Sequence, residues 1–320
     1  MLADKIIAKI CNQEKILLIS HENPDGDTLA ATSAVFMLLE RIGKTVHMVC
    51  KDQVPRPFLF LPEMDRIKKD LFFGDYDLIL TIDCGDLRRT GFAERLKDFA
   101  KKKKVIINID HHPKNDLHKI ATHNLVDYNA SSASEIIWSL FKYWRVEIDK
   151  NIATALLTGL YTDTGGFKHS NTTTQTLNIA GELLRLGARI KLITKNVSLN
   201  KTIPAMRLLG VALSRVRCND ELKVVSSIIT RQDLETCKAT DDDIAGVVNL
   251  INTIPDSKAV VLFYETSDGK IRASIRTEDE KVDISRLAAV FGGGGHRKAA
   301  GFTLDGFFQL DQSSWRIELY

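Results

Sequence analysis

His21, Asp25 and Asp27 fall within one short stretch, His21-Glu22-Asn23-Pro24-Asp25-Gly26-Asp27. An imidazole and hard carboxylate oxygens at this spacing suit a divalent cation such as manganese or magnesium. Taken alone, the stretch reads equally as an Asp-Gly turn with Asp27 capping a helix and His21 on the surface. Two more clusters follow, Asp83-Cys84-Gly85-Asp86 and Asp110-His111-His112. Asp163, ahead of Thr164-Gly165-Gly166-Phe167, is a further candidate ligand, or a cap or turn residue. Cys84 could be a soft ligand but reads better as a small buried residue.

The elements that must position these residues alternate between strand and helix. Lys15–Ser20, Thr45–Cys50, Tyr76–Ile82 and Val105–Ile109 are short apolar runs of buried-strand length. Thr28–Arg41 and Gly91–Ala100 have helical spacing. This β/α alternation predicts an α/β fold whose N-terminal sheet is mostly parallel and doubly wound, with helices on both faces. Three of the strand runs end at His21/Asp25/Asp27, at Asp83/Asp86 and at Asp110/His111/His112. Ligands of open parallel sheets collect outside the carboxyl ends of the strands, so the coincidence favours a metal site over turns and caps. Serines start an amphipathic helix at Ala130–Trp144, an almost wholly apolar helix from Asn151 to Tyr161 delivers Asp163, and Thr174–Leu186 stops at Gly187. The run Lys101–Lys104 sits at a helix end, where cations are favoured, and is read as a solvated face.

The pattern changes in the second half. Residues 1–190 form the first domain, 191–212 a helical linker, and 213–320 a second, smaller α/β domain with a mixed sheet. Its strands are Lys223–Ile229, Ala259–Tyr264 and Lys270–Arg276, the last two joined through Asp268-Gly269. Arg272, Ser274 and Arg276 share one face, which is either merely solvated or suited to phosphates and bases. Gly292, Gly293, Gly294 and Gly295 precede His296. Four glycines between an apolar helix and an apolar strand let the backbone approach something closely, and their N–H groups favour an anion. Neither a nucleotide-triphosphate loop nor a dinucleotide fingerprint is present, and a flexible linker is the plain alternative.

At 320 residues the chain exceeds a usual single core. A net charge of +3 is too small for a duplex-DNA binder, so any nucleic-acid contact must be local. The absence of a long apolar run argues against a membrane span, and Met1–Ile10 lacks the apolar region of a secretory signal. Five scattered cysteines without a C-x-x-C pair point to a reducing cytoplasm and away from structural zinc.

The ordered set H-x-x-P-D-x-D, a strand-terminal Asp, Asp-His-His, Asp-Thr-Gly-x-Phe and a late Gly-Gly-Gly-Gly-His resembles the DHH phosphoesterase superfamily with its DHH-associated C-terminal domain, over roughly Glu14 to Gly306. Within it the nanoRNase and pAp-phosphatase (NrnA-like) type is the most similar, alongside cyclic-dinucleotide phosphodiesterases. The resemblance implies two divalent ions, manganese first and magnesium or cobalt as alternatives. His21, Asp25 and Asp83 would hold one, and Asp27, Asp83, His111 and Asp163 the other. It further implies that Asp110 orients His111, that His112 faces the substrate phosphate, and that Arg272, Ser274, Arg276, Gly293, Gly294, Gly295 and His296 recognise the nucleotide. The implied activity is hydrolysis of short single-stranded RNA and of pAp by two-metal activation of water. Cyclic or linear dinucleotides such as c-di-AMP and pApA are alternative substrates, pyrophosphate a weaker one, and a catalytically dead nucleic-acid-binding protein the reading from another class. A homodimer stays open, and the tail after Gly306 departs from the family pattern.

Overall fold

A computed structural model describes residues 1–113, 115–198, 202–244, 246–310 and 315–319. The side chains of Asp242 and His296 lie outside this description. The chain divides into two compact units, Met1–Asn200 and Lys201–Tyr320.

In the first unit the strands are β1 (Lys15–Ile19), β2 (Thr45–Val49), β3 (Ile67–Lys68), β4 (Leu78–Ile82), β5 (Val105–Asp110) and β6 (His123–Val126). The helices are α1 (Leu2–Cys11), α2 (Gly26–Arg41), α3 (Ala93–Lys101), α4 (Leu117–Ile120), α5 (Ala133–Trp144), α6 (Lys150–Asp163), α7 (Thr174–Arg185) and α8 (Ile190–Val197). The sheet order is β3-β2-β1-β4-β5-β6, and every pairing is parallel. Central strands buried on both faces need near-continuous apolar sequence, which Ile16–Ile19 and Leu78–Ile82 supply, the one polar side chain, Thr81, donating to Asn108 Oδ1 at 3.1 Å. One face packs under α1, α2, α5, α6 and α7 around Leu29, Phe36, Phe141 and Leu156. The other packs under α3 and α4 around Leu96, Phe99 and Leu117. From β1 the chain passes to β2 on one side, and β4 pairs with β1 on the other, so the crevice of the sheet opens between β1 and β4.

The second unit holds α9 (Ile203–Ser214), β7 (Arg217–Asn219), β8 (Val224–Ile229), α10 (Arg231–Cys237), α11 (Asp241–Ile244), α12 (Val247–Ile251), β9 (Ala259–Glu265), β10 (Ile271–Arg276), α13 (Ile284–Val290), β11 (Gly294–His296), β12 (Ala299–Leu304), β13 (Gly306–Leu310) and β14 (Trp315–Leu319). Its mixed sheet runs β11-β12-β10-β9-β8-β7, with β8 and β9 parallel and the other pairs antiparallel. Within the tail that departs from the family pattern, β13 and β14 pair antiparallel, Gly306 opposite Leu319 and Leu310 opposite Trp315. Trp315 on β14 packs edge-on to Phe263, with ring centroids 6.0 Å apart, under the guanidinium of Arg217.

The linker expected at 191–212 is instead divided between the units. α8 buries Ile193 in the first core, and α9 buries Leu208 and Ala212 in the second. Each helix has an apolar face of its own, so neither can remain a free connector. No helix among the described residues is long and apolar enough to cross a membrane.

Candidate metal centre

The carboxyl ends of β1, β4 and β5 and the C-terminus of α6 converge on one site. β1 releases the chain at Ser20, whose hydroxyl meets Thr32 of α2 at 2.9 Å. His21 follows, almost fully buried, with Nδ1 2.7 Å from the carbonyl oxygen of Glu22. A carbonyl can only accept, so Nδ1 carries the proton and Nε2 presents its lone pair. That Nε2 is buried, has no hydrogen-bond partner, and lies 3.5 Å from Asp25 Oδ2 and 4.0 Å from Asp83 Oδ2. Burial opposes a charge on the ring, yet Asp25 and Asp83 outweigh it and raise the His21 pKa.

Asp25, not Asp27, caps α2: its Oδ1 accepts from the backbone N–H of Asp27 (3.0 Å) and Thr28 (3.1 Å), which leaves Oδ2 for the site. The Thr28 hydroxyl donates to the Ile82 carbonyl at 2.8 Å and ties the start of α2 to the end of β4. Asp27 is buried, and its carboxylate accepts from Ala133 N–H (2.6 Å) and Ser134 N–H (3.1 Å), the first amides of α5. Burial, with Asp83 and Asp163 nearby, pushes its pKa well up.

Asp83 stands just past β4 with φ +58°, an uncommon conformation for a residue other than glycine. Its N–H bonds to the Ile109 carbonyl at 2.9 Å, which fixes the turn. Its Oδ1 is buried without a hydrogen-bond partner, 3.4 Å from His111 Nε2 and 3.4 Å from His112 Nδ1. Burial acts to raise this carboxyl, but the two imidazoles prevail and hold it far below the usual range. In turn, against the cost of burial, Asp83, Asp163 and Asp27 lift His111 to about 10, and Asp110 and Asp83 lift His112 to about 9.

Asp110 ends β5 fully buried. Its Oδ1 accepts from the His112 backbone (3.0 Å) and lies 2.7 Å from His112 Nδ1, and its Oδ2 accepts from Gly85 N–H (2.8 Å). The residue oriented by Asp110 is therefore His112 rather than the expected His111, because the backbone turn after β5 brings the ring two positions on beside its carboxylate. Asp163, the last residue of α6, places Oδ2 3.7 Å from His111 Nε2. Burial pushes its carboxyl up to about 7 against the pull of His111, with Asp83 and Asp25 adding to the rise.

His21, Asp25 and Asp83 thus form one group able to hold a metal ion, and Asp83, His111 and His112 another. Asp83 belongs to both. Asp163 borders the second group through His111, and Asp27, each of whose oxygens accepts one α5 amide, lies close enough to Asp83, Asp163 and His111 for their charges to act on it. The donor set fits divalent cations on three counts. Two buried atoms, His21 Nε2 and Asp83 Oδ1, lack any hydrogen-bond partner. His21 is held in the metal-binding tautomer. Finally, burial first and then the neighbouring carboxylates, Asp83 and Asp163 for Asp27 and Asp83 and Asp25 for Asp163, raise the pKa values of Asp27 and Asp163, and positive charge in the site relieves the repulsive part.

Close helix packing sets the floor of the site. A Cβ on Gly159 of α6 would lie 2.7 Å from Ser134 Cβ and would overlap Ser134 Oγ and Asp27 Oδ1. Only glycine lets α6 pass there.

In the second unit β10 alternates as expected, with Ile271, Ala273 and Ile275 buried and Arg272, Ser274 and Arg276 on the other face. Arg272 is opposite Tyr264 and Thr303, and Arg276 donates through Nε to Asn249 Oδ1 at 3.2 Å. The glycine run differs from expectation. Gly293 and Gly295 pack tightly against β12, where a Cβ would lie 2.7 Å from Phe302 Cα and 2.5 Å from Ala300 Cα respectively, while Gly294 borders open space. Part of the run therefore has a packing role. The His296 side chain falls outside the described residues.

Residues 15–160 match the DHH family, N-terminal domain, and residues 223–313 match the DHHA1 domain. The bifunctional oligoribonuclease and PAP phosphatase NrnA of Thermus thermophilus is 28% identical over 94% of this chain and 87% of its own length. Its namesake in Bacillus subtilis is 26% identical over 96% and 95%. An exopolyphosphatase-related protein of Bacteroides fragilis shares the fold, with a TM-score of 0.86 at 24% identity over 97% of this chain and 92% of that one. With both domain models matched in order and the Asp110-His111-His112 signature at the carboxyl edge of the sheet, the chain belongs to the DHH family, in its DHH plus DHHA1 form.

Proposed function

We propose that this protein is a dinuclear-metal phosphoesterase of the cytoplasm that hydrolyses short oligoribonucleotides and pAp. The observation that carries the reading is the shared Asp83, buried and strained between two groups of metal-ligating side chains at the crevice of a parallel sheet. The relatives named as oligoribonucleases and PAP phosphatases, which match nearly end to end, support the substrate class. His21, Asp25 and Asp83 would hold one ion, and Asp27, Asp83, His111 and Asp163 the other, with manganese the first choice. When bound, the two ions supply an acidified water and screen the phosphate charge.

The chain's own residues do the rest. Asp110 holds His112 in orientation through Nδ1, so that its remaining ring nitrogen can face the substrate and stabilise charge growing on the phosphate oxygens. Asp25 fixes the start of α2 with one oxygen and serves the site with the other. Arg272, Ser274, Arg276, Gly293, Gly294, Gly295 and His296 would recognise the nucleotide. The test is one panel with manganese: pAp, pApA, cyclic di-AMP and RNA from two to twenty-four nucleotides. Preference for the shortest RNAs together with release of phosphate from pAp supports the reading. Exclusive cleavage of cyclic di-AMP, or none at all, overturns it.

A further inference from the structure

Arg89 is a cation that the ligand set does not use. It lies in a 3-10 turn, Arg88–Thr90, between β4 and α3, on the same edge of the sheet as the metal centre. Its backbone is fastened on two sides: its N–H donates to Asp86 Oδ1 at 2.7 Å, and its carbonyl accepts from Glu22 N–H, next to His21, at 2.7 Å. The guanidinium folds back over Gly85, two residues beyond Asp83, so closely that a Cβ there would lie 2.7 Å from Nη1 and 3.6 Å from Cζ. Gly85 is itself pinned, its N–H by Asp110 and its carbonyl by the Asn115 side chain. The guanidinium charge is felt at His21. Its Nη1 is buried and has no hydrogen-bond partner, and no ion pair engages Arg89 among the described residues.

A guanidinium normally meets a carboxylate or a phosphate when it leaves water, since an unmet donor on a charged group is costly. Asp86, the nearest acidic neighbour in sequence, spends its oxygen on the Arg89 backbone rather than on the side chain. We propose that Arg89 is a substrate-binding residue, donating from its guanidinium to a non-bridging oxygen of the substrate phosphate held at the metal centre. This rests on the phosphoesterase reading but not on which ester is cut. An arginine suits the task because its fork matches the geometry of two phosphate oxygens and it stays charged at any working pH.

The test uses manganese-loaded full-length protein and inorganic phosphate as the probe. Calorimetry should show phosphate binding weakened roughly ten- to a hundredfold in Arg89→Ala and Arg89→Gln, the loss of one charge-assisted contact, with manganese stoichiometry and affinity unchanged. Arg89→Lys should recover part of it. Guanidinium ion added to Arg89→Ala should restore some pAp hydrolysis and do nothing for the parent protein. Wild-type phosphate affinity in both neutral variants, a loss of manganese binding in either, or a parent protein that binds no phosphate overturns the assignment. If the substrate panel shows no hydrolysis while phosphate binding still depends on Arg89, the functional reading fails, and with it the substrate role of Arg89, while its phosphate contact at the metal centre stands.

Discussion

Two substitutions of identical chemistry separate the steric demand of the site from helix propensity. Gly159 and Gly181 both lie inside helices, α6 and α7, so alanine at either gains about 0.8–1 kcal/mol of helix stability. At Gly181 an added Cβ meets nothing within 4 Å, and Gly181→Ala should therefore stabilise by up to that amount. At Gly159 the Cβ would lie 2.7 Å from Ser134 Cβ, about 1 Å inside normal contact, and would overlap Ser134 Oγ and Asp27 Oδ1. Ser134 Oγ can rotate away, but its Cβ belongs to a helix and Asp27 is held by two amides. Overpacking of this kind costs about 1–3 kcal/mol, so after the helix gain Gly159→Ala should destabilise by up to roughly 2 kcal/mol instead of stabilising like Gly181→Ala. For a unit of this size that lowers the melting temperature by up to about 8 °C. A shift of about 1 Å in Asp27 should also cut turnover by about a hundredfold. Differential scanning calorimetry of both variants, with and without manganese, and a pAp assay provide the readouts. If Gly159→Ala melts and turns over like Gly181→Ala, the close passage of α6 over Asp27 is wrong.

Other expectations are narrower. Asp163→Asn should weaken manganese binding and slow pAp hydrolysis at least tenfold; unchanged calorimetric stoichiometry and rate would reduce Asp163 to a helix-end residue. In chelator, His111 is held at about 10 against 6.5 when unfolded, and Asp163 at about 7 against 3.8. Both raised values add stability at low pH that disappears as pH rises, so metal-free protein should weaken between about pH 4 and 10, whereas a flat urea midpoint over that range contradicts the crowding of carboxylates. In the second unit Asp233 is partly buried, which works against its charge, but Arg215 and Thr230 hold its carboxyl below 3.8. Its stabilisation is present above pH 3.8 and is lost as pH falls through the lower folded value. Asp233→Asn should cost about 1–3 kcal/mol at neutral pH and flatten the acid limb of the stability profile.

The parallel sheet and the strand-end clustering were legible because two-sided burial forces continuous apolar runs, and ligands at strand ends interrupt them visibly. Ile16–Ile19 followed by His21, and Leu78–Ile82 followed by Asp83, carry both signals in a few residues. What stayed hidden depends on turn geometry. Nothing in Asp110-His111-His112 tells which imidazole the aspartate meets, since that is decided by how the backbone turns after β5. The cap of α2 fell on Asp25 rather than Asp27 because Asp27 is drawn to the amides of α5, more than a hundred residues away. The two-residue strand β3 and the half-buried β6 lack the apolar length that marks a central strand. Gly293 and Gly295 pack against β12, a contact that the glycine run shares in sequence with a ligand loop. Arg89 gave no signal at all, because a lone arginine in a turn is ordinary until its Nη1 is seen buried with no hydrogen-bond partner among the described residues.

The most direct measurement of the central claim is the manganese content of the purified chain and of Asp83→Ala, by calorimetry, alongside pAp hydrolysis by the same samples. Asp83 is shared by both ligand groups, so two ions per chain are expected in the parent protein, with binding lost or greatly weakened and hydrolysis abolished in the variant. Retention by folded Asp83→Ala of more than about a tenth of the parent activity, a loss under about 1.4 kcal/mol, or undiminished pAp hydrolysis by the parent in excess chelator, would contradict it.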